Sequence, residues 1–142
     1  MSAADNKAVI RRLYDEVFQA WHLAVIDEVV APEFVGHEMA ADTPPGPEGF
    51  RQCYARLRSA FPDLCYTVDD LIAEGDKVVV RWTWSCTHTG VFRGIAPTGR
   101  QATVTGMAIY RLTGGKIVER WAELGMHRLL QQLSAPAGPG EG

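Results

Sequence analysis

Hydrophobic positions in the first 60 residues recur with the spacing of helix faces. The first stripe predicts an amphipathic helix with Asp5 as its N-cap. The apolar residues of this stripe are Val9, Ile10, Leu13, Tyr14, Val17 and Phe18. A short second helix is predicted over 23–30, ending before Pro32. The Pro-rich segment 42–47 must be a loop, and a third helix is predicted from 47 to 60, with a proline in its first turn.

Beyond residue 63 the pattern changes from a helical period to the alternation of strands. Extended segments are predicted over 65–72, 77–87, 101–112 and 116–124, with a brief extended piece at 34–37 and a final helix over 127–133. The segment 77–87 alternates most regularly, and Gly114-Gly115 marks a hairpin turn. Helices that precede a run of antiparallel strands predict the α+β class. We expect the helices to pack on a strongly curved, mainly antiparallel sheet, forming a cone-shaped barrel that encloses one pocket.

Composition restricts the partners that this chain can have. It has 142 residues, 46% of them hydrophobic, which suits one domain, predicted over 1–134 and followed by a disordered Pro/Gly-rich tail at 135–142. The net charge of −3 and the absence of clustered cations argue against nucleic acid as a partner. No apolar run approaches the roughly 20 residues of a membrane span. The first 20 residues are too charged for a signal peptide, so the cytoplasm is the expected location.

Cofactor and metal motifs are missing from the sequence. The three cysteines, Cys53, Cys65 and Cys86, are widely spaced and form no CxxC pair, so we interpret them as reduced thiols in or near the core. There is no dinucleotide-binding glycine pattern and no P-loop. We therefore expect neither a cofactor nor a metal.

A series of short phrases then gives the chain a family resemblance. The phrases are Phe34-Val35-Gly36-His37, Pro45-Gly46-Pro47-Glu48-Gly49-Phe50, Ala60-Phe61-Pro62-Asp63-Leu64, Gly75-Asp76-Lys77-Val78-Val79-Val80-Arg81, Thr87-His88-Thr89-Gly90, Ala96-Pro97-Thr98-Gly99-Arg100 and Gly114-Gly115-Lys116-Ile117-Val118-Glu119-Arg120-Trp121. In this order and spacing they resemble the SnoaL-like polyketide cyclases, over about 6–133. The resemblance implies the cone-shaped fold shared with ketosteroid isomerase and scytalone dehydratase. It also implies a homodimer or higher homo-oligomer.

The resemblance further implies an activity and an acid/base residue. Founding members close the last ring of aromatic polyketides by an intramolecular aldol reaction, without metal or organic cofactor, and relatives include hydroxylases. In the family an Asp usually stands four positions after the final-strand Trp. Here that Trp is Trp121, and the corresponding residue is Gly125, which cannot transfer a proton. The usual aldol machinery therefore does not carry over intact.

Two residues, Glu123 and His127, are candidate replacements for the missing acid/base group, and the remaining option is that catalysis has moved elsewhere or been lost; His37 is a further catalytic candidate. Glu123 precedes position 125 by two residues and on a regular strand points the same way, so it could serve as base, or it could be a surface carboxylate. His127 is a candidate because an imidazole suits proton transfer, although a surface histidine at a helix start is an alternative. By the resemblance, His37 lies at the pocket rim, where it could polarise a carbonyl or be purely structural.

Other residues are candidates for substrate binding. Trp82 and Trp84 share one strand face and could form a flat aromatic wall, or simply pack in the core. His88 could contact substrate or anchor the loop that follows it. On the next strand, one of the two faces carries three further candidates. The arginine among them, Arg111, could bind an oxyanion or form an ion pair, and Arg81 on the preceding strand could do the same. The three are Met107, Ile109 and Arg111. The phrases of the resemblance add Phe34, Phe61 and Trp121.

Three functions remain open at this point. The first is cofactor-independent cyclisation of a bulky apolar, polyketide-like substrate in secondary metabolism. The second is hydroxylation, isomerisation or hydrolysis in the same fold. The third is a catalytically silent pocket that binds a metabolite or mediates dimerisation, which the glycine at position 125 favours.

Overall fold

A computed structural model describes residues 2–134, so the predicted tail at 135–142 lies outside the described residues. This part of the chain contains four α-helices and five strands. The helices are α1 (Ala3–Arg12), α2 (Ala24–Val29), α3 (Gly46–Ala60) and α4 (Met126–Ser134). The strands are β1 (Val30–Gly36), β2 (Cys65–Glu74), β3 (Lys77–Thr87), β4 (Gln101–Thr113) and β5 (Lys116–Leu124). The predicted α+β class is confirmed.

Helix α1 continues into a π-helical segment, Leu13–Gln19, and begins earlier than its apolar stripe indicates. The prediction that Asp5 is the N-cap is wrong. Ser2 is the N-cap, and its hydroxyl accepts a hydrogen bond from the Asp5 N–H at 3.1 Å. The Asp5 carboxylate accepts in return from the Ser2 N–H at 3.0 Å. Asp5 thus occupies the third helical position of a reciprocal capping box.

The five strands form one sheet in the order β1-β5-β4-β3-β2. The neighbours β2, β3, β4 and β5 are antiparallel, whereas β1 pairs parallel to β5. The segment predicted only as a brief extended piece is therefore the end of an edge strand. Its pairing joins residues far apart in sequence, such as Val35 and Glu119, which local alternation does not reveal.

The helices cover one face of this curved sheet, and the core lies between the helices and that face. On β3 the buried residues alternate with exposed or half-buried ones, and on β4 the pattern is the same. The inward-facing residues of β3 are Val78, Val80, Trp82, Trp84 and Cys86. Of the three thiols, which were predicted to lie in or near the core, Cys86 is buried, Cys53 is half-buried and Cys65 is exposed. No helix among residues 2–134 has the length and apolar character needed to cross a membrane.

Candidate active site

A cavity of about 600 Å³ lies between the concave face of the sheet, the π-helical segment and α3. Aromatic rings form a large part of its wall. The sheet contributes Tyr66, Trp82, Trp84 and Tyr110, and the helical segments contribute Tyr14, Phe18, Phe50 and Tyr54. The π-helical segment supplies two of these rings, which fits the frequent occurrence of π-helical turns at functional sites. Such a wall suits a bulky, unsaturated and largely apolar molecule.

Trp82 and Trp84, predicted to form a flat aromatic wall, both line the cavity. The indole of Trp82 lies across Gly106, the residue directly opposite it on β4. A Cβ atom at position 106 would stand 2.6 Å from Cζ2 of this indole, so the glycine makes room for it. Trp84 packs more deeply, with its ring centroid 5.6 Å from that of Phe61.

One corner of the cavity is polar and is built around Arg120 of β5. This arginine is buried beneath the rings of Phe34, Phe50 and Tyr110, with its guanidinium carbon 5.1–5.8 Å from their centroids. Its Nε–H donates to a carboxylate oxygen of Glu38, which follows β1. Burial alone lowers the pKa of Arg120, but Tyr110 and Glu38 outweigh that effect and raise it. The guanidinium therefore stays charged inside an aromatic enclosure.

Two tyrosine hydroxyls adjoin this corner. The hydroxyl oxygens of Tyr14 and Tyr110 form a hydrogen bond of 3.0 Å. Burial raises the pKa of both tyrosines, well above the ordinary value for Tyr14, and Arg120 opposes this shift at Tyr110 only in part. Both phenols are therefore protonated at neutral pH and can donate hydrogen bonds.

Among residues 2–134, Glu38 is the only acidic residue that lines this cavity. It is 25% exposed at its side chain, and so it is open to a molecule in the cavity as well as paired with Arg120. A carboxylate beside a fixed cation and two phenolic donors can accept a proton from a carbon acid, while the donors stabilise the oxyanion that results.

The predicted acid/base residues Glu123 and His127 do not line this cavity. Along β5, Arg120, Ala122 and Leu124 face the cavity, so the intervening Glu123 projects from the opposite face and is exposed. His127 is exposed on α4. Gly125 lies just after the strand, where a Cβ atom would approach the Thr105 carbonyl oxygen to 3.2 Å.

His37 lies on the outer face of the sheet rather than at the cavity rim. Its Nε2 is 2.6 Å from a carboxylate oxygen of Glu119, and its ring stacks on Trp121 with centroids 5.1 Å apart. The other oxygen of Glu119 accepts from Arg111 at 2.8 Å. Arg111 and then His37 hold the pKa of Glu119 below its usual range. Trp121 and Arg111 are thus also outer-face residues.

The face of β4 that carries Met107 and Ile109 is the outer one as well. Both are exposed, because Gly106, Ala108 and Tyr110 alternate with them and turn inward. Arg81 projects from the same side of the sheet, where its Nε–H donates to Asp70 at 2.6 Å. These four candidates, counting Arg111, do not reach the cavity.

The remaining three candidates are buried beside the cavity without lining it. The backbone of His88 bonds to Arg100 and Gly99, and its Nδ1 lies 3.0 Å from the Thr98 hydroxyl, so it anchors the loop after β3. Phe61 packs against this histidine at 5.6 Å between ring centroids. Phe34 packs against the Arg120 guanidinium, and its ring lies 5.6 Å from that of Phe50.

The polar corner of Glu38, Arg120, Tyr110 and Tyr14 was missed in the sequence. A signal for Arg120 exists, since it alternates with Ala122 and Leu124 and therefore shares their face. Tyr14 was counted only as part of an apolar stripe. Nothing local marks Glu38, whose partner lies 82 residues away.

A curved sheet closed by helices around one aromatic cavity defines a cone-shaped α+β domain of the kind that holds small molecules. The model of the SnoaL-like polyketide cyclases matches residues 8–133. The chain belongs to this family, as its sequence phrases predicted. No curated protein matches the chain by sequence.

Solved structures support the same assignment. TsrD from Streptomyces laurentii is 28% identical with a TM-score of 0.86, covering 96% of this chain and 99% of its own. AclR from Streptomyces galilaeus, a proposed hydroxylase, is 30% identical with a TM-score of 0.81, covering 98% of this chain and 87% of its own. IdmH from Streptomyces antibioticus, a proposed polyketide cyclase, is 33% identical with a TM-score of 0.78, covering 92% of this chain and 99% of its own.

Proposed function

We propose that this protein closes a ring within a bulky, apolar, polyketide-like substrate, without a cofactor. The observation that carries the proposal is the aromatic cavity of about 600 Å³ with one polar corner, at Glu38 and Arg120. An enclosed wall of rings excludes water and holds a flexible chain in a bent conformation. Holding two reacting carbons together can by itself remove several kcal/mol, up to about 11, from a ring-closing barrier.

The polar corner supplies the proton transfers that such a reaction needs. Glu38 takes a proton from a carbon next to a carbonyl group, and the electron pair moves onto the carbonyl oxygen as an enolate. Arg120 and the Tyr110 hydroxyl stabilise this oxyanion. The enolate carbon then forms a bond with a second carbonyl carbon of the same chain, and the new alkoxide takes the proton back from Glu38. Reactant and product are isomers.

This assignment moves the acid/base group to another part of the fold. The residue at the usual position is Gly125, and Glu123 projects from the opposite face of β5. Glu38 instead reaches the cavity from the segment between β1 and α3. The hydrogen bond from the Arg120 Nε–H holds the carboxylate in place.

A metabolite comparison by mass spectrometry tests the proposal. In producing cells that lack the gene, we expect a less cyclised compound of identical mass to accumulate. Wild-type protein and the Glu123→Gln control should restore the product, whereas Glu38→Gln should reduce its formation by about 10²-fold or more. Circular dichroism of each purified variant establishes that it is folded.

The other outcomes each contradict a defined part of the proposal. If Glu38→Gln restores the product as well as wild type, Glu38 is not the base. If the accumulated compound lacks one oxygen atom, the protein is a hydroxylase, the activity proposed for its relative AclR. If no metabolite changes, the cavity is catalytically silent and serves binding alone.

We further propose that the outer face of the sheet joins two copies of this chain. A row of apolar side chains crosses four strands in register, and the polar residues at its edge are already paired within the chain, as in Arg111–Glu119 and Arg81–Asp70. The row consists of Ile72, Val79, Ile109 and Trp121. A surface with internally balanced charges can face its own copy without repulsion, as a two-fold interface requires. Sedimentation velocity measures the resulting mass.

A further inference from the structure

Three arginines and one glutamate line the cavity, so its charges do not cancel. Arg120 is paired with Glu38, which leaves Arg56 and Arg93. Arg56 projects from α3, and Arg93 lies in the loop between β3 and β4, with its guanidinium 5.8 Å from the ring of Phe92. Both are exposed, and within residues 2–134 neither forms an ion pair with a carboxylate.

This excess of positive charge contrasts with the rest of the molecule. The whole chain has a net charge of −3, and several of its surface arginines pair with carboxylates. Arg11 and Arg128 are also exposed and without an ion pair among the described residues, but they lie outside the cavity lining. The two cations at the cavity are therefore distinguished by their position. Val91, two residues before Arg93 in the same loop, is 64% exposed although it also lines the cavity, which marks this side as the mouth.

We propose that the substrate carries an anionic head, a carboxylate or a phosphate, that Arg56 and Arg93 bind at the mouth of the cavity. The inference rests on the proposed function and specifies the substrate class for it. The aromatic interior cannot accept a free charge at an acceptable cost, since burying an unpaired carboxylate is strongly unfavourable. A guanidinium at the mouth matches the two oxygens of a carboxylate or phosphate, and it leaves the anion in partial contact with water.

This arrangement also orients the substrate. An anchored head leaves only the apolar body to enter, so the chain enters in one direction. The cavity then selects against neutral molecules of equal size, which lack the head, and against cations, which Arg56 and Arg93 repel.

Binding of matched fluorescent probes tests the proposal without requiring turnover. The probes are 4-(1-pyrenyl)butyrate, the corresponding alcohol 4-(1-pyrenyl)butanol, and the phosphate monoester of that alcohol. They share one aromatic body and differ in the head. We expect the wild-type protein to bind the butyrate about tenfold more tightly than the alcohol, a preference that falls as salt is raised. The double variant Arg56→Gln/Arg93→Gln should bind both with equal affinity, and the control Arg11→Gln should behave as wild type.

The outcomes separate this inference from the proposed function. If the alcohol binds as tightly as the two anions, the anionic head is refuted while the apolar cavity stands. If Arg11→Gln weakens the butyrate as much as the double variant does, the preference arises from overall charge, and the assignment to the mouth is wrong. If none of the probes binds, both proposals fail. The phosphate ester carries about −1.5 to −2 charge at pH 7, more than the butyrate. A preference for the ester that persists at about pH 5.5, where it is close to a monoanion, therefore identifies a phosphate head, and equal or weaker binding of the ester identifies a carboxylate head.

Discussion

Replacing Gly106 with alanine is the sharpest test of how the cavity wall is built. A Cβ atom there would stand 2.6 Å from Cζ2, 2.7 Å from Cε2 and 3.0 Å from Nε1 of Trp82. Carbon atoms in contact are ordinarily about 3.5–4.0 Å apart, so the indole must retreat by roughly 1 Å. Such overpacking costs about 1–3 kcal/mol. Alanine also lowers the conformational entropy of the unfolded chain, which stabilises the native state by about 0.4–1 kcal/mol. We therefore expect the free energy of unfolding to fall by about 1–2 kcal/mol in total.

Urea unfolding followed by circular dichroism measures this change. Because Trp82 lines the cavity, its displacement should also weaken the binding of 4-(1-pyrenyl)butanol. The matched control is the double variant Gly106→Ala/Trp82→Phe. A phenyl ring lacks the atoms that clash, so the cost of Gly106→Ala should shrink when Trp82 has already been replaced.

Two results would refute this reasoning. One is a Gly106→Ala variant that unfolds with wild-type free energy and binds the probe unchanged. The other is a double variant whose free energy of unfolding is the sum of the two single effects to within about 0.5 kcal/mol, since independent sites add to that precision.

Two further predictions concern the tyrosines and the outer face of the sheet. Burial raises the pKa of all four tyrosines, to about 12 for Tyr54, so the native state holds these protons more tightly than the unfolded chain, whose tyrosines titrate near 10. The free energy of unfolding should therefore stay constant below about pH 10 and fall from there towards pH 12. Phenolate absorbance should rise only as the chain unfolds. Reversible titration of native tyrosines at pH 10 would contradict this prediction. Trp121→Glu should convert the dimer to a monomer in sedimentation velocity, whereas Lys7→Glu should not, and a wild-type monomer would refute the interface.

The sequence alone determined the elements and the family. The alternation in β3 and β5 predicted both strands with the bounds that the structure has, because apolar and polar residues alternate along a strand that is buried on one face. Local patterns predicted the start of the first helix less accurately. Ser2, not Asp5, caps α1, because the capping box begins before the apolar stripe. The parallel pairing of β1 with β5 was also beyond reach, because it joins residues distant in sequence.

Only the tertiary structure decided which strand faces look inward, and with that the candidate site. Both faces of β4 carry apolar residues, so the sequence pattern allows either Ile109 or Tyr110 to face inward. The helices that cover one side of the sheet decide between them. The same choice turned Glu123 outward and Arg120 inward. Glu38 joined Arg120 only through the pairing of β1 with β5, across 82 residues. A period of two fixes which residues share a face, but the packing of helices against the sheet determines which face encloses the cavity.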